Sequence, residues 1–239
     1  MRCEVRLGAN AGVYVQVGRD AFMVDALFDE HVHGFSALDE TSFERFLDLA
    51  DQNPPEAALF SHTHPDHFSQ RACARAIARW PELFVAYPGA SDSGSAFDMH
   101  GEGGAFHHGG IDVAYARVPH EGSCHFVPHY ALRLEVGGIR ILFSGDAHAG
   151  DPGVLALARS GVDIAILNFT WATLRSGRSV LDRFAPGAIC LVHLPFEDDD
   201  RYGYRRSVEH VLHTFPFPHG LDIRALDAPF QSESFVIVN

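Results

Sequence analysis

The most informative stretch of this 239-residue chain is His62-Thr63-His64-Pro65-Asp66-His67. Residues two apart in an extended segment face the same way, so His62 and His64 aim their imidazoles at one point. Pro65 disfavours helix at the residue before it and fixes its own φ, so the chain turns and brings Asp66 and His67 to the same point. A lone His-x-His pair often belongs to a solvated loop, but four ligand-type side chains in this order indicate a metal site.

Other apolar runs along the chain also end in a ligand-type side chain. Asp25 follows Phe22-Met23-Val24, Asp146 follows Leu142-Phe143-Ser144-Gly145, and His193 follows Cys190-Leu191-Val192. Parallel strands open their carboxyl ends on one edge of a sheet, where ligands bind. We therefore predict that these three residues and His62 line the same edge.

The apolar periodicity predicts a mixture of strands and helices. Strands are predicted at residues 13–17, 21–24, 57–60, 111–118, 130–136, 139–143, 164–167, 189–192 and 235–238. Helices are predicted at residues 69–80, 154–160 and 179–184, and after a capping box formed by Thr41 and Glu44. This mixture indicates an α/β or α+β sandwich, and the lack of repeats or linkers predicts one domain over residues 1–239.

The charge of the chain excludes several classes of function. It has 18 basic and 31 acidic residues, a formal net charge of −13, and every basic residue is Arg. Its densest basic cluster is Arg205-Arg206, whereas proteins that neutralise phosphates carry larger clusters. We therefore expect no nucleic-acid partner, and a chain without Lys cannot use a lysine Schiff-base mechanism.

Further features of the sequence predict a cytoplasmic protein. No run approaches the ~18 apolar residues of a membrane-spanning helix, and residues 1–12 lack the pattern of a secretory signal. The four cysteines, Cys3, Cys73, Cys124 and Cys190, are too scattered to indicate a disulfide framework. We expect a small-molecule substrate and no membrane association.

Together these motifs resemble the metallo-β-lactamase superfamily. The resemblance rests on five motifs in the family's order, namely Asp25, residues 62–67, His120, Ser144-Gly145-Asp146 and His193. It implies a four-layer αββα sandwich of two mixed β-sheets flanked by helices, with a binuclear metal centre on one edge. It also implies that the chain is an enzyme, a metal-dependent hydrolase.

The resemblance assigns a role to each of these residues. The first metal ion would be held by His62, His64 and His120. The second metal ion would be held by Asp66, His67 and His193. Asp146 would bridge the two ions, and Asp25 would support the ligand loop without being a ligand.

The third ligand of the first ion has two candidates. His120 directly follows the predicted strand at residues 111–118, as the other ligands follow theirs, and is preferred. His125 is the alternative, and His129 follows closely.

The donor atoms and the implied mechanism are consistent with each other. Nitrogen and carboxylate oxygen donors suit Zn²⁺, the preferred metal, and also Mn²⁺ and Fe²⁺. Two divalent ions, two aspartates and a bridging hydroxide leave a net charge of about +1, which favours an anionic substrate. The expected reaction is attack by a metal-bound hydroxide on a small ester, lactone, amide or phosphoester. Asp66 is the candidate catalytic residue that orients the water and passes a proton to the leaving group.

Other activities of the superfamily remain alternatives. A phosphodiesterase or nuclease is disfavoured by the net charge. Iron-dependent, non-hydrolytic oxidoreductases usually replace the motif's second His with Glu, whereas this chain keeps His64. The non-enzymatic alternative is a metal-binding regulatory module.

Two details refine the resemblance. Many members have Gly three residues after the motif's last His, where this chain has Gln70, so neither a glyoxalase II nor a true β-lactamase is expected. The segment at residues 192–196 is similar to that of small hydrolases near the ascorbate-phosphate lactonases. Loops at residues 29–37 and 91–110 are expected to select the substrate.

Overall fold

Strands and helices follow one another in a mixed order along the chain, with several strands in succession in its first part. The computed structural model describes residues 1–32, 34–122, 126–217 and 221–237. The strands are β1 (Arg2–Leu7), β2 (Val13–Val17), β3 (Asp20–Val24), β4 (Ala57–Leu59), β5 (Phe84–Tyr87), β6 (Ala96–Asp98), β7 (Gly103–His108), β8 (Ile111–Arg117), β9 (Tyr130–Val136), β10 (Ile139–Phe143), β11 (Ile164–Asn168), β12 (Ala188–Val192), β13 (Asp222–Ala225) and β14 (Ser232–Val236). The helices are α1 (Glu40–Ala50), α2 (Gln70–Arg79), α3 (Pro152–Ala158), α4 (Thr170–Thr173), α5 (Arg175–Phe184) and α6 (Tyr204–Thr214). Across these ranges, no helix has both the length and the apolar character that crossing a membrane requires.

The described strands form two mixed sheets of seven strands each. The first has the order β14-β1-β2-β3-β4-β5-β6, antiparallel from β14 to β3 and parallel from β3 to β6. The second has the order β13-β12-β11-β10-β9-β8-β7, parallel from β13 to β10 and antiparallel beyond it. Each sheet therefore has a set of parallel strands whose carboxyl ends point the same way.

Three clusters of buried side chains separate the fold into four layers. One cluster lies between the sheets, where Phe22 of β3 meets Phe143 of β10 at a ring-centroid distance of 6.1 Å. A second cluster packs α1 and α2 on the outer face of the first sheet. A third packs helices α3 to α6 on the outer face of the second sheet. Because both faces of each sheet are covered, the predicted αββα sandwich is confirmed.

Side-chain caps set where the first two helices begin. The carboxylate of Asp39 accepts a hydrogen bond from the Ser42 N–H at 2.7 Å, so α1 begins at Glu40. The capping box predicted from Thr41 and Glu44 is wrong, since the Glu44 carboxylate pairs with Arg75 of α2. The second helix agrees with the prediction of a helix at residues 69–80, because Ser69 is its N-cap and Trp80 is its C-cap.

The sequence patterns miss strands β1, β5, β6, β7 and β13 and helices α4 and α6. Residues 91–110, expected to form a loop, contain β6 and β7. β7 reads Gly-Gly-Ala-Phe-His-His and lies at the edge of the second sheet, where few apolar side chains are needed. β1 lies between β2 and β14 and pairs Arg2 with Val236, a partner at the other end of the chain.

Candidate metal centre

The carboxyl ends of the parallel strands from both sheets meet at one edge of the sandwich. β3 ends directly before Asp25, β12 ends directly before His193, and β10 ends three residues before Asp146. The Asp146 Oδ2 atom lies 3.0 Å from His193 Nε2 and 3.3 Å from His67 Nε2. The structure thus brings residues from these three strand ends into contact with the hexapeptide at residues 62–67.

The first group of potential ligands consists of His62, His64 and His120. Its ligand-type atoms lie within 4.8 Å of one another. His62 Nε2 and His64 Nδ1 are 2.9 Å apart, and the His120 ring is centred 5.0 Å from that of His62. This is the set that the resemblance implied for the first ion, whereas His125 lies outside the described residues.

The second group consists of Asp66, His67 and His193. His67 Nε2 and His193 Nε2 are 3.3 Å apart. Asp66 Oδ2 lies 3.8 Å from His67 Nε2 and 3.9 Å from His193 Nε2. These atoms also lie within 4.8 Å of one another, in the combination that the resemblance implied for the second ion.

Asp146 lies between the two groups. Its Oδ2 atom is 3.5 Å from His120 Nε2 in the first group and 3.0 Å from His193 Nε2 in the second. The Asp146 carboxylate also forms a ligand-type triad with His62 and His67. One carboxylate therefore reaches both groups, as a bridging ligand must.

The spacing and the unsatisfied atoms of these residues fit divalent metal ions. A tetrahedral ion with bonds of about 2.0–2.1 Å to nitrogen separates neighbouring ligand atoms by about 3.3 Å, close to the His67–His193 separation. Within the described residues, His120 Nε2 and Asp146 Oδ1 are buried without a hydrogen-bond partner. Buried polar atoms are rarely left unpaired, so these two atoms require a partner such as a cation.

The protonation of His62 and Asp146 suits metal binding, whereas that of His67 opposes it. Burial lowers the pKa of His62 well below its usual value, which keeps the imidazole neutral, as a ligand must be. Burial disfavours the charged form of Asp146, but the nearby His193 and His67 hold its pKa well below the usual value, so it stays anionic. For His67, burial opposes protonation, yet the carboxylates of Asp146, Asp25 and Asp66 raise its pKa well above the usual value. Protons and metal ions therefore compete at His67.

Asp25 controls which nitrogen of His62 carries a proton. Asp25 Oδ1 accepts from the Ser61 N–H and Asp25 Oδ2 accepts from the Ser61 hydroxyl, both at 2.7 Å. Because a hydroxyl has one proton, Ser61 Oγ must accept from the Nδ1–H of His62, which is 2.9 Å away. The Nε2 lone pair of His62 is then free for a metal ion.

The same logic applies to two more histidines. Asp25 Oδ2 lies 3.1 Å from His67 Nδ1 without hydrogen-bond geometry, and the charge of the carboxylate favours a proton on Nδ1 and a lone pair on Nε2. The Nδ1–H of His120 donates to the Glu121 carbonyl at 2.6 Å, which leaves its Nε2 lone pair free. Asp25 thus acts on one histidine of each group, on His62 through Ser61 and on His67 directly, and Ser61 was not singled out by the sequence.

His129 is buried beside His62 and His120, with ring centroids 4.9 and 5.4 Å from theirs. Its Nε2 accepts from the Asp146 N–H at 2.9 Å, so that nitrogen supports the loop bearing Asp146 and is not available as a ligand. Burial lowers the pKa of His129 to about 3, which keeps the ring neutral. In the sequence, the only sign of a role for His129 is its position close to His120 and His125.

Asn10 is a further residue that sequence reasoning missed. It lies between β1 and β2, and its Nδ2 donates to Asp66 Oδ2 at 3.1 Å. The only sequence feature that marks it is a single amide in the otherwise small and apolar run Gly8-Ala9-Asn10-Ala11-Gly12.

Comparison with solved structures identifies this architecture. A metallo-β-lactamase fold protein, YhfI from Bacillus subtilis, has a TM-score of 0.64 and 14% identity, with 98% of this chain and 99% of that one covered. The chain has the metallo-β-lactamase fold. An isothiocyanate hydrolase from Delia radicum gut bacteria has a TM-score of 0.58 and 18% identity, covering 98% and 99%. CmlA, a diiron β-hydroxylase from Streptomyces venezuelae, has a TM-score of 0.62 and 14% identity over 98% of this chain and 54% of that one. No family model matches the sequence, and no curated protein matches it.

Two segments border the centre of this metallo-β-lactamase fold. Phe35, from residues 29–37, packs edge-on against His193 with ring centroids 4.3 Å apart. Glu102, from residues 91–110, lines with Arg117 a cavity of about 270 Å³ that adjoins His120. Both segments predicted to select the substrate therefore reach the vicinity of the ligand groups.

Proposed function

We propose that this chain is a metal-dependent hydrolase with a binuclear zinc centre. Its ions would lie in the two ligand groups, with Asp146 as the bridge. The observation that carries the proposal is the position of Asp146 Oδ2, within 3.5 Å of ring nitrogens from both groups. Nitrogen and carboxylate donors without thiolates suit zinc, manganese or iron, and zinc accepts the low coordination number that three protein ligands and a bridge provide.

The protein's own residues supply orientation and proton transfer in this reaction. When bound, divalent ions polarise the scissile group and acidify water. Asp66 is 7% exposed and faces the second group, where its carboxylate would accept the proton of the attacking water and pass it to the leaving group. Asp25 and Ser61 hold His62 and His67 with their Nε2 lone pairs toward the centre.

The proposed substrate is a small, anionic ester, lactone, amide or phosphoester. The cavity beside His120 measures about 270 Å³, below the usual 300–1,000 Å³ of ligand pockets. Arg117 lines this cavity, and its side chain is 50% exposed. The Arg117 Nη1 atom lies 3.9 Å from Glu102 Oε1. A guanidinium beside the centre supports an anionic group on the substrate.

Metal analysis of the purified protein tests the centre. We expect about two zinc ions per chain when the protein is purified without added metal, and fewer in His64→Ala. The matched control is His107→Ala. His107 is exposed, its Nδ1 lies 2.8 Å from Asp112 Oδ1, and it belongs to neither ligand group. A wild-type chain without bound metal, even after incubation with zinc, would contradict the proposal.

A substrate panel separates the hydrolytic alternatives. It contains an aryl ester, a lactone, an aryl isothiocyanate and bis(p-nitrophenyl) phosphate, the isothiocyanate because one hydrolase of that class has the same fold. Cleavage of the phosphodiester without cleavage of RNA would exclude a nuclease. Two bound ions without turnover of any ester, lactone, isothiocyanate or phosphodiester would support the non-enzymatic module instead.

Iron-dependent oxidative chemistry is the second candidate. It is favoured by the similarity in fold to a diiron β-hydroxylase and by the donor set, which also suits iron. Predominant iron in the purified protein, with dioxygen uptake, would support this candidate over hydrolysis.

We further propose that the protein acts in the cytoplasm and binds neither nucleic acid nor membranes. Cys3, Cys73 and Cys190 are buried free thiols, which suits a reducing compartment, and the net charge of −13 opposes binding to phosphates. Cell fractionation and filter binding with RNA test both statements, and retention of RNA at physiological salt would contradict the second.

A further inference from the structure

Asn10 connects the turn between β1 and β2 to two members of the second ligand group. The Asn10 side chain is fully buried, and its Nδ2 donates to the Asp66 carbonyl at 3.2 Å and to Asp66 Oδ2 at 3.1 Å. The same Nδ2 lies 3.4 Å from His193 Nε2. The backbone carbonyl of Asn10 accepts from the His193 N–H at 2.9 Å. One residue therefore contacts both the carboxylate and one imidazole of this group.

The chemistry of Asp66 dictates the orientation of the Asn10 amide. Both Asp66 atoms that face Asn10 are oxygens that only accept hydrogen bonds, so the amide must present its nitrogen to them. Asn10 Oδ1 is consequently buried without a hydrogen-bond partner among the described residues. An unpaired buried carbonyl is unfavourable, so the contacts of Nδ2 must outweigh it. The contacts with Asp66 therefore determine the orientation of the Asn10 amide.

The backbone at this position also restricts the residue type. Asn10 has a φ of +52°, in the left-handed region that Asn and Gly adopt most readily. His193 has a φ of +65°, so two left-handed residues meet through the hydrogen bond between their backbones. Of the residues that tolerate this conformation well, Asn also supplies a buried N–H donor.

We propose that Asn10 is a positioning residue that holds Asp66 and His193 for the second metal ion. The proposal rests on the proposed binuclear centre. The described contacts of the Asn10 side chain go to Asp66 and His193 and reach none of His62, His64 and His120. Asn10 therefore acts on one ion and leaves the other unaffected, which a general structural role would not do.

The test compares zinc affinities of the whole protein at the two groups. Asn10→Gly removes the amide and tolerates the φ of +52°, while Asn10→Ala removes the amide and retains a Cβ. The control is Asn168→Ala, because Asn168 is also buried but its Oδ1 accepts from the Thr170 N–H at 2.9 Å. Zinc is titrated against a chromophoric chelator, and Co²⁺ absorption spectra report the geometry at each equivalent.

The expected result is selective weakening. Loss of a partner that orients a metal ligand reduces metal affinity by ~10–100-fold. The affinity for one zinc ion should therefore fall by that factor in both Asn10 variants. The affinity for the other zinc ion in the Asn10 variants, and the affinities for both ions in Asn168→Ala, should match the wild type.

Several outcomes would overturn the proposal. Wild-type affinity for both ions in Asn10→Gly would show that the side-chain contacts of Asn10 with Asp66 and His193 are dispensable. Equal weakening of both ions, or failure of both Asn10 variants to fold while Asn168→Ala folds, would assign Asn10 a structural role only. A wild-type chain that binds fewer than two zinc ions would refute the binuclear centre itself, and the role of Asn10 with it.

Discussion

Replacing Asp25 with Asn tests whether a single carboxylate sets the tautomers of one histidine in each group. Asp25→Asn keeps the shape of the side chain but turns one acceptor into a donor. In the variant, the amide N–H would donate to Ser61 Oγ, whereas in the wild type the Ser61 hydroxyl donates to Asp25 Oδ2 at 2.7 Å. The Ser61 proton would then turn toward His62 Nδ1 at 2.9 Å, and the His62 proton would move to Nε2. His67 Nδ1, 3.1 Å from the same Asp25 oxygen, would face a donor as well.

The magnitude follows from the number of histidines affected. Each outer partner of a metal-ligating His contributes ~10–100-fold to affinity, or about 1.4–2.7 kcal/mol per ion. Asp25 acts on His62 of the first group through Ser61 and on His67 of the second group directly. We therefore expect the affinities for both zinc ions to fall by this factor. This differs from the Asn10 variants, in which only one ion should weaken.

Chelator competition with the intact protein measures both affinities. The matched control is Asp163→Asn. The Asp163 carboxylate also accepts hydrogen bonds, from the backbone and side chain of Arg140 at 2.8–3.0 Å, but makes no hydrogen bond or ion pair with the potential ligands in the described ranges. Wild-type affinity for both ions in Asp25→Asn, or an equal loss in Asp163→Asn, would refute the reasoning about tautomers.

Three further predictions concern turnover, backbone geometry and pH. Asp66→Ala should lower kcat at least ~100-fold, because it removes the group that moves the proton, and full activity with normal metal content would contradict this role. Gly145→Ala should lower the free energy of unfolding in urea by about 2 kcal/mol and weaken metal binding, because Gly145 has a φ of +49° and an added Cβ would lie 2.6 Å from the Ser61 side chain. Unchanged unfolding in that variant would show that the loop before Asp146 relaxes freely. The hydrogen bond from Arg140 lowers the pKa of Asp163, so the wild type should exceed Asp163→Asn in stability above about pH 4, and this difference should shrink as the pH falls further. A difference that grows in acid would reverse the expected sign.

Much of the fold could be predicted from local patterns. The hairpin of β2 and β3, the meander from β8 to β10 and the helix after Ser69 follow from alternation, turns and caps within a few neighbouring residues. Interactions between distant segments were missed, including the pairing of β1 with β14 and the edge strand β7, whose composition resembles that of a loop. The capping box at Thr41 was also mispredicted, because the tertiary contact between Glu44 and Arg75 competes with the local one.

The candidate site shows the same difference between local patterns, which could be predicted, and contacts between distant segments, which could not. The residues that could be read from the chain are those whose chemistry is packed into short motifs, above all residues 62–67, and those at strand ends, such as Asp146 and His193. The chain alone does not reveal that Asp146 reaches both groups, that Asp25 acts on His62 through Ser61, or that Asn10 meets Asp66, 56 residues away. The physical reason is that spacing and chain stiffness act over a few residues. Hydrogen bonds and proton positions depend instead on how two sheets, folded from distant segments, place their edges against each other.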